Sequence, residues 1–222
     1  LDYGKVFAAQ VARGADITVG VIPVTLKGAS DFGVMATDSE DRIIEFAEKP
    51  ADPEPMQGDP SKALASMGIY VFTTEYLRGR LLEDAQNEES THDFGHDLIP
   101  HAIEHANAFA FPFVNANTGA PGYWRDVGTI DAYWEANINR ATRDPELNMY
   151  DSEWPFWTQQ EQLAPAKFVF DDDDRRGMAI DSIISGGCLI TGSSIRNSVL
   201  FSNVRVHSYA KVEGSVVLPD VT

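Results

Sequence analysis

From Ile183 to Leu218 the chain reads IISGGCLITGSSIRNSVLFSNVRVHSYAKVEGSVVL. Ile183, Leu189 and Ile195 stand six residues apart, and Leu200, Val206, Val212 and Leu218 keep that spacing after one five-residue step. Small or polar residues fill the intervals. A six-residue aliphatic period is the hexapeptide signature of a parallel β-helix, in which each aliphatic side chain fills a triangular coil and stacks on the next turn. A sandwich strand would alternate with period two and would not hold this phase over seven positions. Cys188 reads as a small hydrophobe inside the coil. The repeats reach Thr222 without the polar cap that a solenoid needs, so the sequence predicts a truncated β-helix.

Upstream the period is different. Tyr3, Val6, Phe7 and Val11 recur at helical spacing, and Gly14 after Arg13 reads as the helix stop. Ile17 to Val24 is β-branched and almost continuously apolar, as a strand covered on both faces would be. Val34–Ala36 and Ile43–Phe46 flank a turn at residues 38–41 and read as a hairpin, and Ser66–Phe72 reads as another buried strand. Prolines 50, 53, 55 and 60 mark a loop. Thr74 opens a helix with Leu77, Leu81 and Leu82 expected inward, and helical patterns return at Asp97–Ala106 and after Thr129, an N-cap by residue type. Strands alternating with helices predict an α/β fold. The sequence therefore divides into an α/β domain over 1–146, a Pro- and Trp-bearing linker over 147–166, and a β-helix over 167–222.

Composition narrows the class of function. The 222 residues include 43% hydrophobic ones, enough for a substantial core, and no stretch approaches the roughly 20 apolar residues of a membrane span. A formal charge of -17 opposes nucleic-acid and anionic-membrane partners. The single cysteine fits a reducing compartment, so cytoplasm is the expectation. The chain starts on Leu1 with no basic n-region or apolar core after it, and the expectation is a start by truncation.

Three short segments could carry chemistry. In Phe46-Ala47-Glu48-Lys49-Pro50, a lysine at a strand end can hold a phosphate as a point charge, and Glu48 can accept hydrogen bonds from hydroxyls. In Ala65–Tyr70, Ser66 enters a strand beside Gly68, where a bare backbone lets a ligand come close. In Tyr123–Thr129, Asp126 lies in a loop entering a helix and could ligate Mg²⁺ together with substrate phosphates. Taken singly, each is as well explained by solvation or by a local pair such as Asp126 with Arg125.

Their order is more specific than any one of them. Phe32–Met35, Phe46–Pro50, Ser66–Tyr70, His92–Gly95, Tyr123–Thr129, Pro165–Val169 and Ser185–Cys188 together resemble the bacterial ADP-glucose pyrophosphorylases across essentially the whole chain. The resemblance implies the C-terminal part of a Rossmann-like sugar nucleotidyltransferase domain followed by the start of a left-handed parallel β-helix. It implies that Gly33, Glu48, Lys49, Ser66, Tyr70, Asp93 and Trp124 face glucose 1-phosphate. By the same carry-over Asp126 is the second of two aspartates holding the catalytic Mg²⁺, and Asp126 and Lys49 are the catalytic pair. The implied substrates are ATP and glucose 1-phosphate, with ADP-glucose and pyrophosphate as products, for glycogen synthesis. A sugar-phosphate allosteric effector and a homotetramer are the family expectation. The family's triphosphate loop and first metal aspartate precede the position of Leu1, so the segment alone is expected to be inactive.

Rival readings are a non-catalytic regulatory subunit, a uridylyl or thymidylyl transferase, and a hexapeptide acyltransferase using His207. The intact Lys49 and Asp126 argue against the first, and the long α/β part argues against the last. The i,i+4 pairs His92/His96 and His101/His105 invite a zinc reading, but Gly95 interrupts the first and no cysteine is near, so exposed surface is expected. The run Asp171–Asp174 lacks the spaced ligands of a calcium loop and reads as a solvated turn.

Overall fold

β1 (Ile17–Thr25) is the strand on which the first half of the protein is built, and its first six residues are all buried. It pairs in parallel with β5 (Ala108–Pro112) and antiparallel with β4 (Lys62–Phe72). A strand with neighbours on both edges and cover on both faces can be apolar throughout, which is what its sequence shows. The computed structural model describes residues 1–115, 118–172 and 174–222, in two units, Leu1–Trp124 and Arg125–Thr222.

In the first unit the sheet is completed by β2 (Gly33–Thr37) and β3 (Ile43–Glu48), giving the order β3-β2-β4-β1-β5. The fold is α/β, although only the β1–β5 pairing is parallel in this sheet. Helix α1 (Tyr3–Arg13) begins at Asp2, whose carboxylate accepts the Lys5 N–H, and ends where Gly14 adopts φ 56°. Only a residue without a Cβ takes that left-handed cap cheaply. Helices α2 (Leu26–Ala29), α3 (Thr74–Asp84) and α4 (Ile99–His105) follow, and a π-helical turn over Phe94–Leu98 leads into α4. Ile17, Val19, Val21, Met35, Ile43 and Ile99 form the main core beneath them.

Two helical faces differ from the expectation. In α1, Val6 and Gln10 are buried while Tyr3, Phe7 and Val11 are exposed. Gln10 faces inward because its amide donates to the Ala15 carbonyl at 2.7 Å and accepts from the Thr18 hydroxyl. In α3, Leu81 and Leu82 are exposed and Asp84 is buried. Here a satisfied carboxylate occupies the inner face, which a hydrophobic period cannot anticipate.

The second unit opens with α5 (Ile130–Asn139), capped as expected by Thr129, whose hydroxyl accepts the Ala132 N–H. The Trp134 indole donates to the Gly214 carbonyl at 2.8 Å, tying the helix to the coils. Residues 140–166 contain no helix or strand. Three parallel three-stranded faces follow. They are β6 (Lys167–Val169), β11 (Leu189–Thr191) and β14 (Arg205–Val206); β9 (Met178–Ile180), β12 (Ser194–Arg196) and β15 (Lys211–Glu213); and β10 (Ile183–Ile184), β13 (Val199–Leu200) and β16 (Val216–Val217). The pair β7 (Asp171–Asp172) and β8 (Arg175–Arg176) forms a small antiparallel excursion from the first coil. Asp171 and Asp172 are exposed and pair with Arg176 and Arg175.

The coil exists, but its phase is corrected at three of the seven marker positions. Ile184, Ile190 and Val217 belong to the cluster in the coil interior, while Ile183, Leu189 and Leu218 do not, and Leu218 is 54% exposed. Each of those sites offers two adjacent aliphatic residues, and a strand buries alternate ones. Pairing of Ile183 with Val199 and of Val199 with Val216 gives coil steps of 16 and 17 residues, so the turns are tighter than three full hexapeptides. Cys188 lies inside, its thiol pushed up in pKa by burial and 3.0 Å from the Phe201 carbonyl.

Candidate functional site

β4 is irregular where it matters. Val19 of β1 faces Tyr70, yet Val21 faces Ser66, so β4 carries two extra residues between those positions. Gly68 sits in this bulge at φ 69° and donates its N–H to the Ser66 hydroxyl at 3.2 Å. A bulge of this kind re-aims side chains. Here it brings the hydroxyls of Ser66 and Tyr70 to within 3.2 Å of each other, a contact a regular strand would not give four residues apart.

Gly33 and Glu48 face each other across β2 and β3. A Cβ on Gly33 would fall 2.6 Å from the Phe46 ring and 2.8 Å from Glu48 Oε2, and one on Gly95 would fall 2.6 Å from the same oxygen. The Glu48 carboxylate therefore lies against two bare backbones, which is why glycine stands at both positions. Asp93 ends the loop before the π-helical turn, and its Oδ1 accepts the N–H groups of Gly95 at 2.8 Å and His96 at 3.0 Å. The Phe94 ring stacks on Tyr70 at 6.0 Å. Burial pushes the Tyr70 phenol above its ordinary pKa, and the charges of Glu48 and Asp93 add to that, against a lowering by the Ser66 hydrogen bond. Tyr70 thus remains a hydroxyl donor at neutral pH.

Lys49 follows β3 at φ 47°, its N–H donating to the Phe32 carbonyl at 3.1 Å, and its side chain is exposed. Among the described residues it forms no ion pair. Phe32 in turn meets Trp124 edge-on at 5.3 Å. The first unit thereby gathers Gly33, Glu48, Ser66, Tyr70 and Asp93 around one strand end, with Lys49 and Trp124 joined to them through Phe32. Two carboxylates, two hydroxyls, an aromatic ring and an exposed ammonium suit a ligand with several hydroxyls and one phosphate.

Asp126 belongs to the second unit. It is exposed, and its Oδ2 accepts the Gly128 N–H at 3.3 Å. Arg125, the alternative partner considered from sequence, pairs instead with Glu146 at 2.7 Å. A cavity of about 170 Å³ lies beside Asp126, lined also by Glu135 and Asn139. Among the described residues, no group of three or more His, Cys, Asp and Glu side chains could hold a metal ion. His101 and His105 stack at 4.2 Å and do not converge on a common point as ligands would; His101 is half-buried, not exposed as expected. His207 is exposed.

Sequence reasoning did not assign Phe94 and Gly95 to the site. Both stand in the His92–Gly95 motif, and the signal for Gly95 was present as a glycine following a carboxylate, although its reason is the approach of Glu48 from a distant strand.

An α/β unit followed in one chain by hexapeptide coils defines a two-part class of proteins. The model of the nucleotidyl transferase family matches residues 1–143, and the chain belongs to that family. Residues 164–222 match the model of the GlmU-like C-terminal hexapeptide region. The chain is 56% identical over 221 residues to the glucose-1-phosphate adenylyltransferase of Methylococcus capsulatus, covering 100% of this chain and 52% of that protein. It is likewise 56% identical over 224 residues to the enzyme of that name from Methylobacillus flagellatus, covering 100% of this chain and 52% of that one. Similarity to glucose-1-phosphate adenylyltransferase 2 of Alkalilimnicola ehrlichii is 55% over 220 residues, covering 99% and 52%. The chain spans about half the length of the curated relatives it matches. No helix among the described residues is long and apolar enough to cross a membrane.

Proposed function

We propose that the chain supplies the sugar-phosphate site of a glucose-1-phosphate adenylyltransferase, which joins ATP and glucose 1-phosphate into ADP-glucose and pyrophosphate. The observation that carries this reading is the convergence of Gly33, Glu48, Ser66, Tyr70 and Asp93 around the bulge in β4. Glu48 and Asp93 accept hydrogen bonds from glucose hydroxyls, Tyr70 and Ser66 complete the polar wall, Lys49 holds the phosphate, and Trp124 borders the pocket.

The reaction is an in-line attack by a glucose-1-phosphate oxygen on the α-phosphorus of ATP. The new bond is oxygen to α-phosphorus, and the bond to the β-phosphate oxygen breaks with its electrons on pyrophosphate. The attacking phosphate is already anionic near pH 7, so no side chain has to remove a proton. The chain's contribution is orientation of the nucleophile. Asp126, exposed at the entry to α5, would supply one carboxylate ligand to Mg²⁺, the second of the two aspartates that the resemblance implies. When bound, the ion supplies neutralisation of charge at the phosphates.

On this reading the protein serves glycogen synthesis in the cytoplasm, responds to a sugar-phosphate effector, and assembles as a homotetramer. The test is pyrophosphate release by the full-length protein from glucose 1-phosphate with ATP or UTP, in wild type and Asp126→Asn. Release with ATP, abolished in the variant, supports the proposal; release with UTP in preference to ATP, or with neither, overturns it.

A further inference from the structure

The loop that delivers Asp93 is held by a buried acid that the proposed chemistry does not use. Asp84 is the last residue of α3 and is 9% exposed. Its Oδ1 accepts the Ser90 hydroxyl at 2.6 Å, and its Oδ2 lies 2.8 Å from His92 Nδ1. Ser90 Oγ also accepts the His92 N–H at 3.0 Å. One carboxylate thus grips the loop at two places, with Ser90 passing the hold on to the backbone of His92.

A second acid completes the clamp from the other side. Asp97 Oδ2 accepts the Thr91 hydroxyl at 2.6 Å and the Asp93 N–H at 3.0 Å. Between the two anchors His92 is held at φ 58°, in the left-handed region that residues with a Cβ adopt less readily than glycine. The next residue is Asp93, whose Oδ1 is occupied by two backbone N–H groups. That leaves its other oxygen to meet a ligand, and the anchors on the His92 and Asp93 N–H groups set where the backbone carrying that carboxylate lies.

We infer that Asp84 is a positioning residue for the sugar-phosphate site: through Ser90 and His92 it fixes the strained loop that aims the Asp93 carboxylate at the sugar. The inference rests on the proposed sugar-phosphate reading and deepens it. Asp84 touches no substrate. Its loss lets His92 relax toward ordinary backbone angles, and Asp93 then turns away from the pocket while the rest of the site stays intact.

The test is steady-state kinetics of the full-length protein with Asp84→Ala, Asp84→Asn, Asp93→Asn and the Asp84→Ala/Asp93→Asn double variant. Misplacing one hydrogen-bonding carboxylate should raise KM for glucose 1-phosphate about tenfold in Asp84→Ala, with KM for ATP and kcat within about twofold of wild type. A merely structural role would lower the active fraction, and so kcat, without moving that KM. Asp84→Asn keeps one acceptor and should recover part of the loss. In the Asp93→Asn background Asp84→Ala should add little, because both changes remove the same interaction. Should Asp84→Ala fail to fold, Ser90→Ala removes one hold only and should still raise the same KM several-fold. An Asp84→Ala or Ser90→Ala protein with unchanged KM for glucose 1-phosphate, or full additivity in the double variant, overturns the inference and leaves the sugar-phosphate reading standing. A wild-type protein that makes no ADP-glucose overturns that reading, and the inference with it.

Discussion

Gly33 is the residue at which the site is least tolerant. Any side chain there would collide with the Phe46 ring and with Glu48 Oε2. Overpacking of this kind typically costs about 1–3 kcal/mol, and here it would also push the carboxylate out of place. Gly33→Ala is therefore expected to lower the urea midpoint and to raise KM for glucose 1-phosphate; a variant with both unchanged would show that Glu48 has room to move. Tyr70→Phe removes a hydroxyl without changing shape. Loss of one neutral hydrogen bond corresponds to about 0.5–1.5 kcal/mol, or roughly a two- to twelvefold weaker sugar phosphate, measurable as KM, and loss of the Ser66 contact costs stability by no more than about the same amount. Equal KM in the two proteins would place the Tyr70 hydroxyl outside the substrate's reach.

At the scale of elements, the bulge in β4 and the loop after α3 position the residues of the candidate site. Gly68 holds φ 69°, and giving it a Cβ costs about 1–2 kcal/mol in that conformation. Gly68→Ala should therefore destabilise by about that amount in urea melts and separate the Ser66 and Tyr70 hydroxyls, weakening substrate binding as well. Stability without a binding loss would mean the bulge merely accommodates the site. The loop after α3 carries a pH signature. Hydrogen bonds from Ser90 and then His92 hold the Asp84 carboxyl below its usual range, and those from Thr91 and Asp93 do the same for Asp97. Folded pKa values below the unfolded ones give stability that is present above about pH 3.9 and lost as pH falls through the folded values. Burial, then the charges of Arg80 and His105, lower the His101 pKa. The folded state therefore prefers neutral His101, and stability should decline as pH drops below about 6.5, where the unfolded chain binds a proton first. Unfolding free energies measured from neutral to acid pH should show both limbs, with His101→Gln flattening the upper one and Asp84→Asn reducing the lower. A near-neutral limb that survives His101→Gln would assign it to another group.

Across the whole molecule the two units have different sources of stability. The first rests on a mixed sheet in which β1 is buried over six consecutive residues, and the second on stacked aliphatic residues inside tight coils. Ile195 is fully buried at the centre of that stack. Ile195→Ala should cost about 2–5 kcal/mol in the β-helix, read as a lower thermal midpoint, while leaving KM for glucose 1-phosphate unchanged because no site residue of the first unit is altered. A parallel rise in KM would tie substrate binding to the integrity of the coils.

The hexapeptide period, the continuous apolarity of β1, the cap at Gly14 and the order of the site motifs were all legible along the chain, because each is a local pattern of residue types. Local patterns could not choose between Leu189 and Ile190, or between Val217 and Leu218, since both neighbours are aliphatic and only the coil's alternation decides which turns inward. Nor could they place Gln10 and Asp84 on inner faces, where satisfaction of a buried polar group depends on Ala15, Thr18, Ser90 and His92 arriving from elsewhere. Glu48, Gly33 and Gly95 are separated widely in sequence and meet only through the β2–β3 register and the turn after Asp93. The amino-acid sequence by itself determined the family and the element types, and it supplied the candidate residues of the site. Tertiary structure alone decided their mutual distances and the loop that aims Asp93, because those depend on long-range pairing and on hydrogen bonds that no period in the sequence encodes.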